Sequence, residues 1–348
     1  MLTLKINNQR FSGWTEVRIT AGIRQAARGF QIAVTDKWMG KRWQVLPFDA
    51  CELYLGDHKV LTGWVEGVNH SIDESQQIIT LAGRAKTADL IDCTAKAKQF
   101  RNQTALQIAN ALAKPHGVAV RADVAITKRI PSWKPDEGAT VFESIETLAR
   151  LAGLLVTDNA DGDLVLTRAG ISRVHTPLVL GENIKALDAT YDVFSLYSDY
   201  IIKGQQKGSD TVDAVAAAHV TAAANDYTVK RYRPIVLNAE DQIDLKAASI
   251  RSNWEKNTRF GNSQQFNVTV QGWQHETGLW QPNQLVRLKA DELGLNADLL
   301  IVQVEYLLND DNGTTAQLSL SPKAAFEPEP LSADVQQATK PEIWKELN

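Results

Sequence analysis

LLIVQVEYLLNDDNGTTAQLSL, Leu299 to Leu320, is the stretch from which the fold is read. Leu299 to Leu307 is rich in β-branched and apolar residues and too short to span a bilayer. Asn309-Asp310-Asp311-Asn312-Gly313 then gathers turn formers and ends in the residue that takes positive φ most readily. From Thr314 the chain alternates, with Ala316, Leu318 and Leu320 on one side and Thr315, Gln317 and Ser319 on the other. These features predict a strand, a turn and a second strand.

A similar unit lies near the other end of the chain. Trp64-Val65-Glu66-Gly67-Val68 leads into Asn69 to Ser75, and Ile78-Ile79-Thr80-Leu81-Ala82-Gly83 follows. A shift of 237 (302 − 65) sets Val65 on Val302, Asp73 on Asp310, Glu74 on Asp311 and Leu81 on Leu318. Upstream, Pro47 precedes Cys51-Glu52-Leu53-Tyr54-Leu55 at the spacing by which Pro282 precedes Val286-Arg287-Leu288-Lys289. The matches point to one β unit used twice; that any two hairpins look alike stays open at this stage. A single unit has one apolar face and must close into a barrel or pack on another sheet. Neither copy calls for a reactive group.

Composition bounds the function. The chain has 348 residues, of which 44% are hydrophobic and 22% charged, ordinary for a globular protein of two to four domains. The net charge of −4 argues against a face built to grip phosphates, and Lys230-Arg231-Tyr232-Arg233 reads as a solvated strand edge. Two cysteines, Cys51 and Cys93, make neither a disulfide framework nor a metal cluster. Met1 to Ile6 alternates like a strand and lacks the layout of a signal peptide, and no apolar run is long enough for a membrane-spanning helix. The expectation is folding in a reducing cytoplasm.

Taken in order, residues 1–93 read as β, with Phe30, Ile32 and Val34 on one face of a strand and a short helix within Ala85 to Ala95. Trp38 and Trp43 in the following loop fit either a binding surface or the capping of a barrel end. A second repeat, offset by 36 (140 − 104), sets the helix from Thr104 to Lys114 on the helix from Thr140 to Ala152. Each begins with a capping box, Thr104 with Gln107 and Thr140 with Glu143. Each ends near a glycine suited to the left-handed position, Gly117 and Gly153, before an apolar strand. Tyr191 to Ile202 alternates loosely, Gly204 to Gly208 reads as a connector, and Asp213 to Ala224 as a short helix or a loop. Ile243, Ala247, Ile250 and Trp254 recur at helical spacing over Ala239 to Lys256, with Arg251 and Lys256 toward its C-terminal end. Gln265 to Val270 opens the second β unit. The Pro- and Glu-rich chain after Pro322 reads as a tail that orders on a partner.

Three groups of residues invite a search for chemistry. Asp158-Asn159-Ala160-Asp161-Gly162-Asp163 resembles a calcium loop, but its glycine is fifth and the distant Glu is missing, so a turn is the better reading. Glu143 and Glu146 suggest a carboxylate pair, yet Glu143 caps and Glu146 falls on the solvent face. The histidines His58, His70, His116, His175, His219 and His275 show no ligand spacing, and nucleophile elbows, Walker loops and dinucleotide fingerprints are absent. No catalytic, cofactor-binding or metal-ligating residue is nominated.

TVFESIETLARLAGLLVTDNADGDLVLTR, LWQPNQLVRLK and LLIVQVEYLLNDDNGTTAQLSLSPKAAF, in that order, carry a resemblance. Over residues 1–325 the chain resembles the baseplate hub proteins of contractile-tailed phages and prophages, in particular the phage Mu-like late control protein D group. The resemblance implies a homotrimer with two related barrels per chain, six around a channel, adapting a threefold spike to a sixfold tail tube. It implies tail-tube, central spike and baseplate wedge proteins as partners, DNA passing through without specific binding, no enzyme activity and no cofactor. It also implies a place in the virion baseplate after assembly in the host cytoplasm. The expected fold class is α+β, mainly β, with two related β-barrel domains, an intervening small α/β domain and a helical insertion. The expected boundaries are 1–93, 94–176, 177–325 with the insertion at about 205–260, and a tail at 326–348. A tail-associated peptidoglycan hydrolase and a glycan-binding module are the other readings carried forward.

Overall fold

A computed structural model describes residues 1–7, 9–35, 45–74, 77–205, 219–239 and 242–330. The chain is mainly β with a few helices. It divides into a unit of Met1–Tyr191 with Gln264–Lys323 and a unit of Asp192–Ser263 with the described chain from Ala324.

Seven strands come first: β1 (Leu2–Ile6), β2 (Gln9–Phe11), β3 (Glu16–Gly22), β4 (Gly29–Thr35), β5 (Ala50–Leu55), β6 (His58–Ile72) and β7 (Gln77–Ala85). Period-two alternation puts Leu2, Leu4 and Ile6 of β1, Phe30, Ile32 and Val34 of β4, and Cys51, Leu53 and Leu55 of β5 into one core. Each such side chain contributes about 1.5–3 kcal/mol on burial. The strands pair antiparallel in the order β3-β4-β7-β6-β5-β1, and a bulge interrupts β6 against β7 between Val65 and Gly67. Phe30 lies across from Gly83, where a Cβ would sit 2.6 Å from the Phe30 ring and 2.1 Å from the Trp64 carbonyl oxygen. Only glycine permits that approach.

The next segment holds α1 (Ala88–Asp92), β8 (Phe100–Thr104), α2 (Ala105–Ala113), β9 (Val120–Ala122), β10 (Arg129–Trp133), α3 (Val141–Leu151), β11 (Leu155–Asp158) and β12 (Leu164–Thr167). Both capping boxes form. Gln107 N donates to Thr104 Oγ1 at 3.3 Å and Thr104 N to Gln107 Oε1 at 3.0 Å. Glu143 N donates to Thr140 Oγ1 at 3.1 Å and Thr140 N to Glu143 Oε2 at 2.8 Å. Gly117 and Gly153 take φ of 68° and 66° after the helices. Ile108 and Leu112 of α2, Ile145 and Leu148 of α3, and Leu164 and Leu166 of β12 share a second core. β12 lies between β11, antiparallel, and β9, parallel.

After β13 (Ser172–Arg173), β14 (Leu178–Val179) and β15 (Ile184–Tyr191) the chain enters the second unit, so the expected run from Tyr191 to Ile202 is broken at Asp192. That unit pairs β16 (Asp199–Gly204) with β17 (Val220–Asn225) and β18 (Pro234–Asn238) beside α4 (Leu245–Asn262). Three expectations are corrected here. The described end of the Asp213 to Ala224 stretch is a strand, because Val220 and Ala224 bury beside β16; residues 213–218 lie outside the described residues, as do 206–208 of the connector. The helix starts at Leu245 rather than Ala239, because the Asp244 carboxylate accepts from Ala247 N at 2.7 Å and caps it; Ile243 packs ahead of the cap. Arg251 therefore sits mid-helix, 2.7 Å from Glu329, and Arg259 is the cation of the last turn. The described start of the tail is not free either, since Trp254 Nε1 donates to the Glu327 carbonyl at 2.8 Å.

The first unit resumes with β19 (Gln264–Gln271), β20 (Gln274–His275), β21 (Gly278–Leu279), β22 (Gln284–Ala290), β23 (Leu295–Asn309) and β24 (Gly313–Ser321). Their order, β15-β19-β24-β23-β22, antiparallel throughout, repeats β3-β4-β7-β6-β5. Phe266, Val268 and Val270 stand where Phe30, Ile32 and Val34 stand, and Val286 and Leu288 where Cys51 and Leu53 stand. The bulge recurs between Ile301 and Gln303. It corrects the offset of 237 on the first hairpin strand: Val65 matches Ile301 (301 − 65 = 236), and Val302 is the bulged residue. Leu81 and Leu318 keep 237, because the turn between Leu308 and Thr314 has one residue more than that between Ile72 and Gln77. A one-residue slip exchanges the faces of a strand, so the distinction decides what is buried.

β3 pairs with the far half of β23, from Val17 opposite Leu308 to Gly22 opposite Gln303, which makes one sheet of both sets. Its strand path does not close among the described residues; it runs from β15 to β2. Gly83→Val is expected to cost about 1–3 kcal/mol by overpacking. Gly67→Val, where a Cβ meets nothing closer than Ala82 Cβ at 3.8 Å, should cost far less; urea unfolding midpoints compare them.

Candidate assembly surface

The acidic turn is a joint between segments. Asn159 Oδ1 accepts from Asp161 N at 2.9 Å and Asp163 N at 3.0 Å, which shapes the turn. Asp158 accepts from Arg28 N at 2.8 Å and Arg28 Nε at 3.2 Å, and Arg28 Nη1 donates to the Val60 carbonyl at 3.1 Å. Lys59 Nζ reaches Asp161 at 2.8 Å, Thr62 Oγ1 donates to the Ala160 carbonyl at 2.9 Å, and Arg121 Nε meets Asp163 at 2.5 Å. Burial pushes the Asp158 carboxyl up, with Arg28 opposing it, whereas the hydrogen bond from Lys59 holds Asp161 down. Every carboxylate that suggested a cation loop is thus engaged by a side chain of the protein. Nothing in the spacing of Arg28 and Asp158, 130 residues apart, announces their buried pair.

Glu143 is taken up by its cap, and Glu146 is exposed, 3.9 Å from Arg150. Burial pushes the Cys51 thiol up to about 12, and Cys93 is half-buried; both are free. Among the described residues no group of three or more His, Cys, Asp or Glu is placed to hold a metal. No helix among them is long and apolar enough to cross a membrane. In the 230–233 stretch, Lys230 Nζ donates to the Tyr227 carbonyl at 3.1 Å, and the Arg233 guanidinium lies 5.0 Å over the Tyr197 ring. Trp38 and Trp43 lie outside the described residues. Two other tryptophans, not singled out by sequence, are core struts: Trp273 Nε1 donates to the Leu307 carbonyl at 2.9 Å, and the Tyr306 hydroxyl donates to the Trp280 carbonyl.

What the fold leaves open is backbone. β15 ends the strand path; an isolated bridge from Leu180 meets its first residue, Ile184, and along Leu187–Tyr191 it has β19 on one side and no strand on the other among the described residues. Gly67–Ile72, the far half of β6, has β7 on one side and no strand on the other among the described residues. Tyr191 is 55% exposed and Ile72 68% exposed at these edges. Unsatisfied strand edges with apolar side chains are surfaces for pairing. Asp158→Ala is expected to destabilise the protein by about 3–5 kcal/mol, since it strands the buried Arg28 charge. Arg28→Met with Asp158→Leu should recover most of that loss in the same denaturation experiment.

The chain resembles known proteins along most of its length. Residues 1–85 match the N-terminal domain of Mu phage baseplate assembly protein GpP-like proteins, 87–168 the second domain of baseplate hub protein gp44-like proteins, and 245–329 the fourth domain of GpP. The chain is 34% identical over 336 residues to the baseplate hub protein gp44 of Escherichia phage Mu, covering 93% of this chain and 88% of that protein. It superposes on the 43 kDa tail protein of prophage MuSo2 from Shewanella oneidensis with a TM-score of 0.81 at 29% identity, covering 94% and 99% of the two chains. The tail protein of Neisseria meningitidis MC58, at 21% identity and a TM-score of 0.77 over 94% and 98%, shares the fold. The chain belongs to the Mu-like baseplate hub proteins of phage tails, a structural family and not one of enzymes.

Proposed function

We propose that three copies of this chain form a ring in the tail baseplate of a Mu-like phage or prophage, adapting a threefold spike to a sixfold tail tube. The observation that carries this reading is the strand order β3-β4-β7-β6-β5, bulge included, repeated as β15-β19-β24-β23-β22. Two equivalent modules in each of three chains present six similar faces, as a threefold-to-sixfold adaptor requires. In this reading residues 1–93 and 177–325 are tube-type barrel domains, the second carrying the helical insertion, and 94–176 is a small α/β domain beside them. The tail begins at residue 326, and its residues 331–348 lie outside the described residues. The partners are the tail-tube, central spike and baseplate wedge proteins, assembly takes place in the host cytoplasm, and DNA crosses the channel without specific binding. The net charge of −4 favours a channel that does not hold DNA.

Light scattering on the purified chain tests the reading. A mass three times 38.4 kDa over a range of concentrations is expected, and a monomer at every concentration would overturn it.

A further inference from the structure

The two modules are equivalent in strand order but not in their neighbours. Val17 of β3 lies opposite Ile32, and Leu187 of β15 lies opposite Val268, the equivalent of Ile32. Val17, Ile19 and Ala21 therefore correspond to Leu187, Ala189 and Tyr191. By the same registers Gln303–Leu308 of β23 corresponds to Gly67–Ile72 of β6. In the first module β3 has a second neighbour, Gln303–Leu308, and Val17, Ile19 and Ala21 are buried. In the second module β15 has no such neighbour among the described residues, Leu187 and Ala189 are half-buried, and Tyr191 is exposed. The strand segment equivalent to that missing neighbour, Gly67–Ile72 of β6, lies toward the other end of the path with its own outer edge open among the described residues.

We propose that these two edges pair with each other between copies of the chain, in the register of the intrachain β3–β23 joint. Leu187–Tyr191 of one protomer runs antiparallel to Val68–Ile72 of the next, with Ile72 opposite Leu187, His70 opposite Ala189 and Val68 opposite Tyr191. Polar chemistry matches too. Arg18 bonds Glu305 at 2.8 Å across the intrachain joint. The equivalent positions are Asp188 and Asn69, a carboxylate acceptor facing an amide donor. The contact uses different surfaces on the two partners, so it propagates head to tail until the rotation closes. Three copies then have three intrachain and three interchain joints of one geometry. The inference rests on the trimer reading and names the surface that would build it.

Paired cysteines in a Cys93→Ser background test the register. Adjacent antiparallel pairs alternate between wide and narrow spacing, so His70→Cys with Ala189→Cys and Ser71→Cys with Asp188→Cys are both made. Oxidation with diamide should give covalent trimers on a non-reducing gel for at least one pair. None should form for the single variants or for the off-register pair His70→Cys with Tyr191→Cys. A trimer by light scattering that cross-links at neither pair overturns the joint and leaves the trimer standing, whereas a monomer overturns both. Ile72→Asp alters an exposed side chain, so its circular dichroism should be unchanged while the trimer's dissociation midpoint rises at least tenfold in concentration; an unchanged midpoint would also count against the joint.

Discussion

The backbone ladder between β3 and the far half of β23 is the contact on which the first unit depends. It brings Val17–Gly22 against Gln303–Leu308 and satisfies two strand edges at once. Across it the apolar faces of both modules merge into one buried cluster, from Leu4 and Ile32 to Val268 and Leu318. A ladder of such sequence separation closes a very long loop. Loop-closure entropy grows only logarithmically with length, so the segments inserted between the modules add little to its cost. The same separation makes the pairing non-local, the class of contact that slows folding.

The α/β segment is held to the first module by polar contacts instead. Arg28 and Asp158 are nearly inaccessible, and a buried pair returns little net stability relative to apolar side chains of similar volume. Its geometry does impose specificity, because Arg28 is satisfied only when the turn after β11 arrives with Asp158 in place and Lys59 meets Asp161. A directional hydrogen-bonded pair fixes the angle between the two segments, where an apolar contact would slide.

Much of this was legible in the chain because it is local. The hairpins announce themselves through alternation and turn residues, and the α2 and α3 repeat through Thr104 with Gln107 and Thr140 with Glu143, each interaction spanning a few residues. The duplication was legible as an offset, but one residue out on β6, because a bulge and a longer turn are invisible to pattern matching without strand registers. What escaped was decided by tertiary context. The described end of the Ala-rich stretch, expected as a short helix or a loop, becomes β17 because β16 offers it an edge. The helix start moved to Leu245 because the Asp244 side chain outcompeted the apolar periodicity that begins at Ile243. The β3–β23 joint and the Arg28–Asp158 pair join residues that no spacing rule connects. The proposed pairing edges are the least legible part, since they are defined by what two strands lack among the described residues and not by any motif.

The central claim is that one β module, used twice per chain, supplies six matching positions around an axis. Electron microscopy of the purified protein, averaged with no symmetry imposed and viewed along the axis of the particle, tests it most directly. The account predicts an annulus of six similar lobes that superpose in two alternating sets of three around an open centre. Particles without a ring, or a ring whose lobes do not number six, would contradict it.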